Sequence, residues 1–151
     1  MDDEARMQPR GATLRPFARD DYGPARALWL ATEGVGLSPG DAEHEVHAFL
    51  DRNPGLSLVA VDGDVLVAAA LCGHDGRRGY IYHLAVASSH RRRGLGRAIV
   101  ARCLRGLTDA GIRRGQVSVF ATNQLAHAFW ASLGGDRRAD LVVFSIPLAG
   151  A

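Results

Sequence analysis

Lysine is absent from this chain: all eighteen basic residues are arginine, so no side-chain primary amine is present anywhere. Only two cysteines occur, Cys72 in an apolar run and Cys103 in a helical pattern. Neither has a partner at metal-knuckle or redox-motif spacing, so both are expected as reduced core residues. No run of about 18 apolar residues appears, which argues against a membrane-spanning helix and a membrane partner. Met1 to Gly11 is polar and charged where a secretory signal would be apolar, which points to the cytoplasm. The formal charge of +2 is too small for nucleic acid as the main partner. The basic residues are nevertheless uneven, with Arg91, Arg92, Arg93 and Arg97 close together, a pattern that suits a local anion site.

What is there suits an ordinary globular domain. The 151 residues are 47% hydrophobic and 23% charged, enough to bury one core without staples. No internal repeat or low-complexity segment breaks the chain. The expectation is a flexible N-terminal arm over residues 1–11 and a single domain over residues 12–148.

Ala12 to Pro16 suits a short strand. Asp20 and Asp21 are cap candidates for a helix through Ala25, Leu28 and Trp29 that ends near Gly34. Asp41 to Arg52 carries Ala42, Val46, Phe49 and Leu50 close to helical spacing and stops at Asn53-Pro54-Gly55. Leu56 to Val61 and Val65 to Cys72 flank Asp62-Gly63-Asp64, a strong hairpin signal. A second turn, His74 to Gly79, leads to a strand over Tyr80 to Val86. Leu95, Ile99, Val100, Cys103, Leu104 and Leu107 form one helical stripe ending at Ala110-Gly111. Gln116 to Phe120 reads as a strand, Gln124 to Leu133 as a helix, and Leu141 to Ile146 as a final strand. The order is βααβββαβαβ, an α/β layer sandwich with a mixed, mostly antiparallel sheet.

Arg91-Arg92-Arg93-Gly94-Leu95-Gly96 falls between a strand and the strongest helix, where unpaired N–H groups and the helix dipole favour anions. Glycine at 94 and 96 lets a pyrophosphate approach the main chain, and Arg92, Arg93 or Arg97 can add charge-assisted bonds. The Gly-Lys-Ser/Thr ending of a Walker loop is missing, and so is Gly-x-Gly-x-x-Gly spacing, since Ile99 follows Gly96 where a third glycine would stand.

The stretch Arg91-x-x-Gly94-x-Gly96 resembles the acetyl-coenzyme A signature of the GNAT superfamily of N-acetyltransferases, Gln/Arg-x-x-Gly-x-Gly/Ala. A second block, Asn123-x-x-Ala126-x-x-Phe129-Trp130-x-x-Leu133-Gly134, is similar to that family's later helix. The resemblance spans roughly Leu14 to Pro147, and the His74 to Gly79 turn looks like that of the small bacterial YpeA-type branch. It implies a GNAT-like twisted sheet flanked by helices, acetyl-CoA as cosubstrate and no metal. It also implies that the main chain of Leu84, Ala85 and Val86 meets the pantetheine arm, and that Arg91, Arg92, Arg93, Gly94, Leu95, Gly96 and Arg97 surround the pyrophosphate. Asn123 would touch the cofactor, and Phe129 and Trp130 would border the thioester. The partner would be a small-molecule, peptide or protein amine, and the resemblance is compatible with a homodimer.

Direct attack by an amine in a ternary complex needs a neutral amine, a donor for the oxyanion and a proton for the thiolate. The Leu84 N–H is the resemblance's candidate donor. Many relatives supply the proton from a tyrosine where this chain has Trp130, whose indole is no practical acid; Tyr80, Tyr82 or water remain. No carboxylate lies in the Tyr80 to Val86 or Gln116 to Phe120 segments, and Ser118 stands where some relatives that modify protein N-termini carry glutamate. His83 is the remaining titratable candidate base, with a water-mediated route as the alternative. The acceptor pocket would involve Trp29, Glu33, the Gly34 to Gly40 loop and the Arg77-Arg78 turn.

Two further patterns are set aside. His44 and His47 lack a well-placed third metal ligand. Ser88-Ser89-His90 shows no acidic partner for a nucleophile. The competing functional readings are a noncatalytic acyl-CoA sensor or interaction module, motivated by Trp130 and the missing carboxylates, and nucleic-acid binding through Arg91 to Arg93.

Overall fold

The structure, a computed structural model, describes residue 9 and residues 11–150. Most of the expected N-terminal arm, residues 1–8 and 10, lies outside the described residues. The backbone forms two compact units, one ending at Ser118 and the other beginning at Val119.

In the first unit the predicted hairpin is present. β2 (Leu58–Asp62) and β3 (Val65–His74) pair antiparallel across the Asp62 to Asp64 turn. β1 (Thr13–Pro16) adds antiparallel to β2, and β4 (Gly79–Val86) adds antiparallel to β3. β5 (Gly115–Val117) is parallel to β4 and completes the sheet order β1-β2-β3-β4-β5. The helices are α1 (Tyr22–Leu30), α2 (Glu43–Arg52) and α3 (Leu95–Asp109).

Because side chains alternate across a sheet, the strands feed two cores. One joins Val59, Ala69, Leu71 and Ala85 to Ala25 and Trp29 of α1, Val46 of α2, and Phe17 and Tyr22. The other takes the buried stripe of α3, which is Leu95, Ala98, Ile99, Val100, Cys103 and Leu107. Packing there is close enough that β4 must start with glycine: a Cβ on Gly79 would lie 2.5 Å from Leu107 Cδ1.

The second unit holds α4 (Gln124–Ser132), capped by Asn123, whose side chain accepts the Ala126 N–H at 3.1 Å. Here the element order differs from expectation at its end. Residues 141–146 form no strand, and Leu141, Val142, Val143, Phe144 and Ile146 are 56–88% exposed. Apolar, β-branched residues make a segment suitable for a ladder, but a strand exists only where a neighbouring edge accepts its hydrogen bonds. Leu141 N–H instead bonds locally, to Arg138 O at 3.4 Å. β5 is likewise shorter than the expected Gln116 to Phe120. Among the described residues, no helix is long and apolar enough to cross a membrane.

Candidate active site

β4 changes its pairing halfway along. Ala69 faces Ala85 and Leu71 faces Tyr82, so His83 and Leu84 together oppose Ala70. This is a β-bulge, which bends the strand and re-aims its side chains. On the other edge, pairing with β5 covers only Gly79 to Ile81, although β4 runs on to Val86. β5 ends at Val117, opposite Ile81, so among the described residues no sheet strand pairs with the main chain of Leu84, Ala85 and Val86 on that side.

His83 sits at the bulge with φ 55°, a left-handed conformation uncommon outside glycine that costs on the order of 1–3 kcal/mol. Its surroundings hold it there. Its carbonyl accepts the Trp29 Nε1–H at 2.8 Å, and its ring lies against the Trp29 indole with centroids 5.2 Å apart. Its Nε2 is 2.7 Å from Asp41 Oδ1. Asp41 is itself fixed: Oδ2 accepts the Ser38 N–H at 2.9 Å, and the carbonyl accepts the Tyr22 hydroxyl at 2.7 Å. Both the His83 and Asp41 side chains keep a little exposure, 18% and 14%.

Asp41 was missed as a site residue because it reads as the start of the second helix. Its Ser38-x-x-Asp41 spacing signals a capping turn, but the contact with His83 crosses 42 residues. Trp29, expected at the acceptor pocket, is fully buried and acts as the prop behind His83. Tyr82 stacks on Tyr80 at 6.0 Å and meets Phe49 edge-on at 6.1 Å. Burial, with the neighbouring Tyr80, raises the Tyr82 hydroxyl above the ordinary phenol range. In the expected Arg77-Arg78 turn, Asp75 Oδ1 accepts both the Arg77 and Arg78 N–H at 2.8 Å.

The arginine loop follows β4 through the short turn Ser88–His90. His90 pins this turn to the hairpin, with Nε2 2.8 Å from Asp62 Oδ2 and Nδ1 2.7 Å from Ser89 Oγ. Asp62 is the acidic partner that the local sequence did not show. Arg91 Nε–H donates to Val86 O at 3.1 Å, tying the loop back to the strand. Arg92 and Gly94 are both left-handed, at φ 62° and 79°, turns of the kind that build backbone anion nests.

Gly94 is the N-cap of α3, and no side chain caps the helix. The first-turn amides of Leu95, Gly96 and Arg97 thus point out of a 15-residue helix with its dipole behind them. A Cβ on Gly94 would meet nothing within 4 Å, so the space beside that glycine is open. An anionic diphosphate fits this donor set.

The second unit carries the later block. Asn123 Oδ1 is engaged as the α4 cap, and Phe129 and Trp130 meet edge to face at 5.1 Å. Among the described residues, no three His, Cys, Asp or Glu side chains are grouped to hold a metal ion.

Comparison with known proteins agrees with this geometry. Residues 23–134 match the model of the acetyltransferase (GNAT) family. An acetyltransferase of Sodalis glossinidius is 29% identical over 121 residues, covering 80% of this chain and 84% of that protein. One from Photorhabdus laumondii is 34% identical over 99 residues, covering 65% and 68%. In fold, the chain is similar to AAC(6')-Iy, solved in complex with the bisubstrate analogue CoA-S-monomethyl-acetylneamine. The TM-score is 0.72 at 17% identity, with 91% and 99% of the two chains covered. The chain belongs to the GNAT acetyltransferase family and is an N-acetyltransferase of its small bacterial branch.

Proposed function

We propose that residues 12–148 work as one cytoplasmic domain that uses acetyl-CoA to acetylate a primary amine by direct attack in a ternary complex. The family match across residues 23–134 runs through both compact units and supports one functional domain. The observation that carries the reading is the bulge at His83 and Leu84, just beyond the stretch of β4 that pairs with β5.

Acetyl-CoA, when bound, supplies an activated acetyl carbonyl and a thiolate leaving group. The main chain of Leu84, Ala85 and Val86 would hold the pantetheine arm. Arg91, Arg92, Arg93 and Arg97, with the amides of Gly94, Leu95 and Gly96, would hold the pyrophosphate. Asn123 would reach the cofactor, and Phe129 and Trp130 would border the thioester. The Leu84 N–H would donate to the carbonyl oxygen as charge develops on it. His83 would take the proton from the attacking amine. A thiol with a pKa near ~8.5 leaves tolerably as thiolate without an acid, so Trp130 does not prevent turnover.

A histidine base favours low-pKa acceptors. Neutralising a lysine-like amine with a pKa near ~10.4 costs about 4.6 kcal/mol at pH 7, against about 1 kcal/mol for an α-amine near ~7.8. Peptide N-termini and comparable small amines are therefore the expected acceptors. Thiol release from acetyl-CoA across peptide N-termini, polyamines and small amines tests this, with Gly94→Asp as the loop control. Amine-dependent release that is lost in the control is expected, with low-pKa amines faster at pH 7. Faster high-pKa amines would remove the weak-base reading. CoA binding without turnover across the panel would favour the noncatalytic sensor that Trp130 suggests. The exposed Leu141, Val142, Val143 and Phe144 support a homodimer, which light scattering would detect.

A further inference from the structure

We propose that Asp41 is a positioning residue that fixes His83 as the Nε2–H tautomer, so that the basic atom offered at the β4 bulge is Nδ1. This rests on the reading of His83 as the base, and deepens it by naming the atom that acts and the residue that selects it.

A carboxylate oxygen only accepts hydrogen bonds, so a ring nitrogen 2.7 Å from Asp41 Oδ1 must be the one that carries hydrogen. In a neutral imidazole the other nitrogen then holds the free lone pair. Among the described residues, Nδ1 has no hydrogen-bond partner, and the side chain is partly exposed. Both partners are held from behind: Trp29 holds the His83 carbonyl and packs on its ring, while Ser38 and Tyr22 hold Asp41. Such fixing matches the cost of a left-handed histidine, since a strained residue persists where its neighbours determine it.

The proton balance is complete. As the amine nitrogen bonds to the acetyl carbon and the C–S bond breaks, the sulfur leaves with the electron pair. An amine proton moves to the Nδ1 lone pair, and the resulting imidazolium lies against the Asp41 carboxylate until it releases the proton to water.

The arrangement around Asp41 makes one substitution decisive. In Asp41→Asn the amide can turn either way in isolation, but the Ser38 N–H can only donate. It therefore requires the amide oxygen at the Oδ2 position, 2.9 Å away. The amide NH2 must then face His83 Nε2, which becomes an acceptor, and the ring hydrogen moves to Nδ1. The variant keeps the Ser38 bond and the turn, but presents the wrong nitrogen.

The experiment reads the His83 tautomer by nitrogen-15 NMR of the imidazole in wild type and Asp41→Asn. It is paired with steady-state kinetics of both and of His83→Asn, a side chain that tolerates the left-handed backbone. The expected result is Nε2–H in wild type and Nδ1–H in Asp41→Asn, with kcat lower by about 10²- to 10⁴-fold. KM for acetyl-CoA should change little. A wild-type ring protonated on Nδ1 overturns the proposal even if the variant fails to fold, as does an Asp41→Asn protein with unchanged tautomer and rate. If His83→Asn turns over normally, the base reading itself falls. If His83→Asn is inactive while Asp41→Asn is unaffected, only the role of Asp41 falls.

Discussion

Arg15 and Asp21 make a bidentate pair at 2.6 and 2.8 Å, and Asp21 also accepts the Ala18 N–H at 2.8 Å. The Arg15 guanidinium, helped by that backbone bond, holds the Asp21 carboxyl below the usual carboxylate range against the opposing effect of burial. A depressed folded-state pKa contributes stability that is fully present above the unfolded value near ~3.9 and is lost as pH falls through the folded value. The Arg15 side chain is 42% exposed, so water screens the pair. Asp21→Asn is expected to cost about 1–2 kcal/mol at pH 7. Urea melts from pH 7 downward should show that difference constant to about pH 5 and shrinking below pH 4. The two cysteines give a second expectation at this scale. Cys72 and Cys103 are both buried, and the neighbouring Cys72 sulfur together with burial pushes the Cys103 thiol above its ordinary range. Neither should react with a thiol reagent in the folded protein, and both should react in denaturant. Fast labelling of native protein would contradict that burial.

Among the elements, the junction of β4, the arginine loop and α3 bears most directly on cofactor binding. Gly94→Asp places a carboxylate at an uncapped helix N-terminus and forces a side chain into φ 79°. It should raise KM for acetyl-CoA by at least about 10-fold, by loss of anion affinity and backbone strain. His90→Ala removes the pin to Asp62 at a residue that bears no proposed cofactor contact. A looser loop should raise KM for acetyl-CoA about 2- to 5-fold with kcat little changed. Equal KM values would show that the loop holds its shape without the pin. Much of this scale was legible beforehand. The α3 stripe, save for Leu104, which is exposed, the Asp62 to Asp64 hairpin and the Arg91 to Gly96 loop depend on neighbours a few residues apart, which periodicity and turn chemistry reveal. The His83 to Asp41 and His90 to Asp62 contacts span 42 and 28 residues. They exist only after the sheet brings distant turns together, so no local pattern announces them. The segment at 141–146 failed in the opposite sense, since its strand-forming composition says nothing about whether an edge stands beside it.

Across the whole molecule, direct acetyl transfer is proposed from a sheet bulged at His83 and Leu84 and from an arginine-flanked helix N-terminus at Gly94. The absence of lysine gives that account a clean test. Mass spectrometry of the mixture, with and without a peptide bearing a free N-terminus, reads the acetyl group on both peptide and protein after incubation with acetyl-CoA. Direct transfer predicts acetylated peptide, stoichiometric CoA release and no acetyl-protein that hands its acetyl group to peptide, an acetyl on the chain's own α-amine being a stable end product. An acetylated protein that forms without amine and passes its acetyl group on when peptide is added would contradict direct attack in a ternary complex.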